Sequence, residues 1–167
     1  MDRDFLLVQK MRAGDEQAIE AFVKKYYPAI LAYCRLHIGD PGDAQDLTQE
    51  TFLRFFRTLS GYRHYKKAAN YLYTIAANAC KDYYKKRRDI PVEHLPERPD
   101  LKLQQTEDGI DLARAFSGLP DALYETAVLY FLQEQRQTDI ARILGISLPL
   151  VKYRIRKARE YFEAYFS

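Results

Sequence analysis

Residues 89 to 111 constrain the fold of this 167-residue chain more than any other stretch. They hold Pro91, Pro96 and Pro99 and seven acids against only Arg98 and Lys102, a composition that cannot pack a core of its own. A chain interrupted there must bury its apolar side chains in two separate bodies. The sequence therefore predicts two small domains, 1–88 and 112–167, joined by a flexible acidic linker, 89–111. The flanks carry the opposite sign. Between Thr51 and Arg88 ten bases (Arg54, Arg57, Arg63, Lys66, Lys67, Lys81, Lys85, Lys86, Arg87, Arg88) meet the single acid Asp82, a local net of +9. Between Thr138 and Glu160 there are six bases and two acids. The overall net of +3 conceals this segregation, and segregated charge says more about partners than the total does.

Aromatic side chains are interleaved with the first basic run: Phe52, Phe55, Phe56, Tyr62, Tyr65, Tyr71, Tyr73, Tyr83 and Tyr84. Cations alone hold phosphates; cations beside flat rings also hold unstacked bases, which offer a π-face to any planar side chain. The loop from Ser60 to Lys67 is rich in Tyr, Arg, His and Lys rather than small polar residues, which marks it as a candidate reader of nucleic acid.

Apolar residues recur at three- and four-residue steps, and the alternation that marks strands is missing, so the fold class is all-α. A short helix from about Asp4 ends near Gly14, and Asp15 caps a second that carries Ile19, Phe22, Val23, Tyr26, Ile30, Cys34 and Ile38, with Pro28 placed to kink it. After the break at 39–43 a third runs to about Leu59. A fourth starts near Ala69 with Leu72, Ile75, Ala76, Ala79 and Tyr83 inward. Beyond the linker, Leu112, Ala115, Phe116 and Leu119 lead to Pro120 and to a helix bearing Ala127, Val128, Leu129, Phe131 and Leu132.

Several function classes fall away. The N-terminus opens as Met-Asp-Arg-Asp, and no run approaches the roughly 18 apolar residues of a membrane span, so a soluble cytoplasmic protein without membrane insertion is expected. Cys34 and Cys80 are too few for a disulfide scaffold and lack further ligands at metal spacing, so neither a metal nor a cofactor is expected; Cys34 reads as a small core thiol. No phosphate-cradling glycine loop, carboxylate cluster or nucleophile-base pair is present, which argues against a nuclease or any other enzyme.

Near the C-terminus, residues 138–147 followed by 148–160 have helix-turn-helix spacing: a capped first helix opening at Thr138, a turn at Gly145, then Ser147 as a new cap with Pro149 in the first turn. Ile140, Leu144, Ile146, Val151 and Ile155 form the expected seam. Pro149, Lys152, Tyr153, Arg156 and Arg159 face outward, toward base edges and phosphates. In the first domain, Asp43, Asp46 and Glu50 fall at i, i+3 and i+7, an acidic stripe with Gln49 and Arg54 available for hydrogen bonds.

The run from Asp43 to Arg54 (DAQDLTQETFLR) resembles the "DAEDLvQEvFLR" run of bacterial extracytoplasmic-function (ECF) sigma factors, the minimal two-domain form of the sigma-70 class. Residues 71–82 (YLYTIAANACKD) resemble that family's "WLyrIArNlalD" run. Leu119-Pro120, Asp139-Ile140-Ala141, residues 144–147 and residues 151–159 resemble its second-domain pattern. The chain differs in having Tyr71 where Trp is usual, Ala77 where Arg is usual, and residues 133–137 in place of a glycine-containing turn.

The resemblance implies a sigma region 2-like helical bundle, a sigma region 4-like helix-turn-helix domain, and a non-enzymatic role in promoter-specific initiation. Asp43, Asp46, Gln49, Glu50 and Arg54 would bind core RNA polymerase. Tyr62, Arg63, His64, Tyr65, Lys66, Lys67, Asn78, Lys81, Lys85, Arg87 and Arg88 would act on the minus-10 element, as duplex and as melted nontemplate strand. Ser147, Pro149, Lys152, Tyr153, Arg154, Arg156 and Arg159 would read the minus-35 duplex, Arg154 and Arg159 through phosphate or by steadying the helix. An anti-sigma factor is an expected partner. The rival reading is a stand-alone helix-turn-helix regulator, which would leave the acidic stripe and the aromatic basic loop without a task.

Overall fold

The computed structural model describes residues 4–59, 67–88 and 107–167, with Arg87, Arg88 and Ile110 described by backbone only. The chain divides into two compact units, Met1–Glu97 and Arg98–Ser167. Every regular element among the described residues is helical, so the architecture is all-α with a separate core in each unit.

The first unit contains α1 (Phe5–Arg12), α2 (Glu16–His37), α3 (Pro41–Thr58) and α4 (Ala68–Arg88). Helix α2 opens on Asp15, whose carboxylate accepts from the amides of Gln17 and Ala18 at 3.0 and 3.3 Å. Helix α3 opens on Asp40, which accepts from the Asp43 amide at 2.9 Å, with Pro41 in the first turn, where its missing N–H costs nothing. These caps satisfy amides that no helical carbonyl can reach.

Phe22 on α2 lies at the centre, stacked on Phe55 of α3 with ring centroids 4.9 Å apart and meeting Phe52 and Phe56 edge-on. Burying one such ring contributes about 1.5–3 kcal/mol. Ala44, Ala68, Ala76 and Ala79 are buried as well, and their small side chains let the helices approach closely. Thr48 and Thr51 are buried without orphaned hydroxyls, since each donates to the carbonyl four residues back, at 2.8 and 2.7 Å. Tyr73 packs edge-on to Tyr33, and burial pushes its hydroxyl up to about 12. Buried Asp4 receives Lys25 Nζ at 2.6 Å and the Tyr26 hydroxyl, which fastens the start of the chain to α2. Helix α2 is not broken at Pro28. The proline is exposed, so the Lys24 carbonyl that loses its amide partner faces water.

The second unit contains α5 (Glu107–Ser117), α6 (Asp121–Ala127), a π-helical turn (Val128–Leu132), α7 (Gln137–Leu144) and α8 (Leu148–Phe166). Phe116, Val128, Leu129, Ile140, Val151, Ile155 and Ala158 are buried, and the Phe162 ring bridges Phe116 and Phe131 at 4.9 and 5.6 Å. Of the expected seam, Ile140, Val151 and Ile155 are buried while Leu144 and Ile146 are half-buried. Gly145 turns the chain between α7 and α8 at φ 66°, a left-handed conformation that glycine adopts without penalty. Ser147 then caps α8, its hydroxyl accepting from the Leu150 amide at 3.2 Å.

Four local features differ from the sequence expectation. Helix α5 begins at Glu107, inside the stretch expected to be linker, because Glu107 and Asp108 sit in its first turn, where the helix dipole favours acids. Helix α7 begins at Gln137 rather than Thr138, and Arg136 at its cap position supplies no side-chain bond. The apolar run after Ala127 forms a π turn, closed by the Gln133 amide on the Val128 carbonyl at 3.0 Å. Glu134 adopts φ 53°, which is unusual for a residue with a Cβ.

That last geometry explains the missing glycine of residues 133–137: the turn keeps a glycine-type conformation with glutamate in it. Glu134→Gly is expected to stabilise the protein by about 1 kcal/mol, the strain released less the extra freedom of the unfolded chain, read as a rise in the urea midpoint. Ser147→Ala is expected to cost about 1 kcal/mol by removing the α8 cap, read as a fall in the same midpoint with the m-value unchanged.

Candidate nucleic-acid interface

The acidic stripe on α3 is present, but its members are in different states. Asp46 and Gln49 are exposed. Asp43 is half-buried and accepts from the Tyr83 hydroxyl at 2.7 Å, which ties the start of α3 to α4. Glu50 accepts from Arg54 Nε at 3.1 Å and lies 3.9 Å from Arg57, while Arg54 also reaches Asp82 on α4 at 3.6 Å. These pairs are substantially exposed, so each contributes roughly 0–1 kcal/mol and the cluster mainly sets side-chain direction. A partner meeting this face encounters Asp46 and Gln49 first, flanked by carboxylates already oriented.

Toward the end of α3 the surface changes character. A concave recess of about 300 Å³ is lined by Arg54, Arg57, Thr58, Tyr71, Ile75 and Asn78. Tyr71 packs against Phe55 at 5.7 Å and donates to Thr58 Oγ1 at 2.7 Å, so its ring and hydroxyl are both held in place. Asn78 is exposed at the edge of this recess. From it the exposed lysines Lys81 and Lys85 continue at i+3 and i+7 along the same side of α4, with exposed Lys86 beside them. Ala77 is buried, so that position is turned into the core and presents nothing to a ligand. Lys67 precedes α4 and is half-buried. Tyr62, Arg63, His64, Tyr65 and Lys66 lie outside the described residues, as do the side chains of Arg87 and Arg88.

In the second unit α8 divides cleanly. Val151, Ile155 and Ala158 face inward, whereas Pro149, Lys152, Tyr153, Arg156 and Arg159 are exposed and Arg154 is half-buried. The Tyr153 ring carries Arg156 and Lys157 over it at 5.4 and 5.7 Å, which holds two cations beside one flat surface. Arg159 is committed elsewhere: its guanidinium donates to the Tyr130 hydroxyl at 3.1 Å and lies over the Tyr130 and Phe131 rings. Of the two roles open to it, steadying the helix matches this geometry.

Arg57, Thr58 and Lys157 belong to these surfaces and are not among the expected site residues. Helical spacing was the available signal, since Arg57 falls three residues after Arg54 and Lys157 four after Tyr153. Among the described residues no cluster of three or more His, Cys, Asp or Glu could hold a metal ion, and no helix is long and apolar enough to cross a membrane.

The family model for sigma-70 region 2 matches residues 22–90, which cover most of α2 and all of α3 and α4. The ECF RNA polymerase sigma factor SigE of Mycolicibacterium smegmatis is 28% identical over 167 residues, covering 92% of this chain and 65% of that protein. This chain thus spans just under two thirds of that relative's length. The RNA polymerase sigma-H factor of Pseudomonas aeruginosa is 26% identical over 176 residues, covering 95% of this chain and 91% of that protein. Among solved structures, the sigma factor RpoE of Bartonella quintana, crystallised with the anti-sigma factor NepR, superposes with a TM-score of 0.73 at 19% identity, covering 88% and 95% of the two chains. That last likeness concerns the fold alone. Two helical units, an acidic face beside a basic recess, a capped helix-turn-helix and similarity along most of the chain point the same way: the first unit carries the sigma-70 region 2 match, and the chain is similar to ECF RNA polymerase sigma factors.

Proposed function

We propose that this chain directs core RNA polymerase to a two-part promoter and helps to open it, with the first unit docking on the enzyme and trapping melted DNA and the second holding the upstream duplex. The observation that carries this reading is the division of α3 and α4 into an exposed acidic face at one end and a basic, aromatic recess at the other. A protein that only gripped duplex DNA would need the helix-turn-helix unit and neither of these.

Asp46 and Gln49 make first contact with a basic surface of the core enzyme, with Asp43, Glu50 and Arg54 holding the face in shape. The recess takes the unstacked base. Opening a base pair costs a few kcal/mol, and stacking on an aromatic side chain returns about 1–3 kcal/mol per base, so trapping by Tyr71, Asn78 and the loop residues Tyr62, His64 and Tyr65 offsets the cost without nucleotide hydrolysis. Lys67, Lys81 and Lys85, with Arg63, Lys66, Arg87 and Arg88, hold the strand by its phosphates, which makes binding steeply salt-dependent. On α8, Lys152 and Arg156 reach base edges of the minus-35 duplex, Ser147, Pro149, Tyr153 and Arg154 line the approach, and Arg159 keeps the helix seated. The protein supplies recognition, and nucleotidyl transfer stays with the polymerase, which places its work in the cytoplasm. The anti-sigma complex of the Bartonella relative supports an anti-sigma factor as a second partner.

Run-off transcription on genomic fragments with purified core enzyme tests the proposal. Discrete transcripts that require both core and this chain support it; DNA binding with no core-dependent initiation refutes it. Asp46→Ala with Gln49→Ala is expected to weaken core association about tenfold, two exposed polar contacts at roughly 0.5–1.5 kcal/mol each, measured by titration against labelled core. Lys152→Ala with Arg156→Ala is expected to weaken upstream duplex recognition by about a hundredfold or more, at roughly 1–3 kcal/mol per base contact, with core affinity unchanged.

A further inference from the structure

A pair of nucleophilic side chains that promoter recognition does not use lies in the core of the first unit. Cys34 on α2 and Cys80 on α4 are both buried, at 0% and 3% exposure, and no disulfide joins them. Their thiols share a hydrogen bond, so the two sulfurs adjoin across the α2–α4 contact although 46 positions separate them in sequence. Thr48 of α3 also bonds to Cys34, and His37 stands one helical turn further along α2. The sulfurs therefore sit where α2, α3 and α4 converge.

The surroundings assign unequal roles to the two thiols. The bond from Cys80 holds the Cys34 thiol below its ordinary value against the opposing effect of burial, and the Thr48 hydroxyl and the His37 ring act in the same direction. His37 Nδ1 bonds to the Tyr33 carbonyl at 2.8 Å, which requires it to carry the proton there and fixes the ring beside the sulfur. Cys34 is thus the more acidic thiol of the pair, with Cys80 donating to it. A protein built only to pack this junction would be served equally well by two alanines or valines.

We propose that Cys34 and Cys80 form a peroxide-oxidisable dithiol, in which a hydroperoxide converts the pair to an intramolecular disulfide stapling α2 to α4 and a dithiol reductant reverses it. Cys34 thiolate attacks a peroxide oxygen. The O–O bond breaks, Cys34 becomes a sulfenic acid, and the departing hydroxide takes a proton to leave as water. Cys80 then gives up its proton as its sulfur attacks that of Cys34; the S–O bond breaks and the second oxygen leaves as water. Two thiols and one hydrogen peroxide yield one disulfide and two waters. Reaction at buried sulfurs proceeds through small openings of the α2–α4 contact, so it is slower than at an exposed thiol. In a reducing compartment a bond of this kind is transient and reports oxidant.

The test treats the whole wild-type protein with hydrogen peroxide, then alkylates it in denaturant and maps it by mass spectrometry. The expected result is a monomer lighter by about 2 Da than the reduced protein, unable to take up alkylating agent, with one cross-linked peptide containing Cys34 and Cys80, and with both thiols restored by dithiothreitol. Cys80→Ser is expected to stop at a Cys34 sulfenic acid that dimedone captures, and Cys34→Ser to leave Cys80 unmodified over the same time. Full alkylation of both cysteines after peroxide, oxidation to sulfinic acid without cross-link, or disulfides only between molecules would each overturn the proposal. The wild-type map decides the question even where a serine variant fails to fold. Its outcome does not depend on promoter recognition, since the measurement involves neither polymerase nor DNA.

Discussion

The stack of Phe22 on Phe55 fixes α2 against α3, and the rest of the first unit follows from it. With Phe55 turned inward, helical geometry turns Asp46 and Gln49 to solvent and brings Arg54 and Arg57 to the side that α4 approaches. Phe52 and Phe56 close around the same ring, so the face of α3 cannot rotate without unpacking several aromatics at once. The polar ties come second. Asp43 to Tyr83 and Arg54 to Asp82 join α3 to α4, yet both are partly exposed, and they orient a surface whose position the apolar core has already set.

This hierarchy lets one helix serve two chemistries. The acids of α3 stand toward its N-terminus, where the dipole favours them, and the arginines stand beyond them toward the recess. Arg54 belongs to both regions: it pairs with Glu50 on its own helix and Asp82 on the next, and it also lines the recess. A partner drawn to the acidic face thus competes for a carboxylate that restrains an arginine lining the recess. The α8 surface is built the other way, with Tyr153 gathering two cations and Arg159 withdrawn onto Tyr130 and Phe131.

Much of this was legible in the sequence. Apolar spacing placed the helices and the inward positions Phe22, Ile30, Leu72, Val151 and Ile155, and Asp15, Gly145 and Ser147 announced their caps and turn through local chemistry that tertiary contacts do not override. The outward set on α8 followed from the same period. What escaped was whatever depends on contacts distant in sequence. The Asp43–Tyr83 bond joins residues 40 apart, and the Cys34–Cys80 pair is set by how α2 meets α4. The start of α5 was missed for another reason, because Glu107 and Asp108 count as linker by composition and as favourable first-turn residues by position.

The π turn at Val128–Leu132 has a consequence for heredity as well as for shape. Its hydrogen bonds span five residues rather than four, as the Gln133 amide does to the Val128 carbonyl, so losing a single residue there is absorbed by a return to ordinary α winding, with the hydrophobic packing largely retained. Each helical residue accounts for about 100° of rotation, so the same loss within α6 would turn its buried positions Tyr124 and Ala127 out of line with the core. The π turn is thus a place in the second unit where a one-codon deletion leaves both the core and the outward face of α8 in register, a spare residue that the helix loses without passing through an unfolded ancestor.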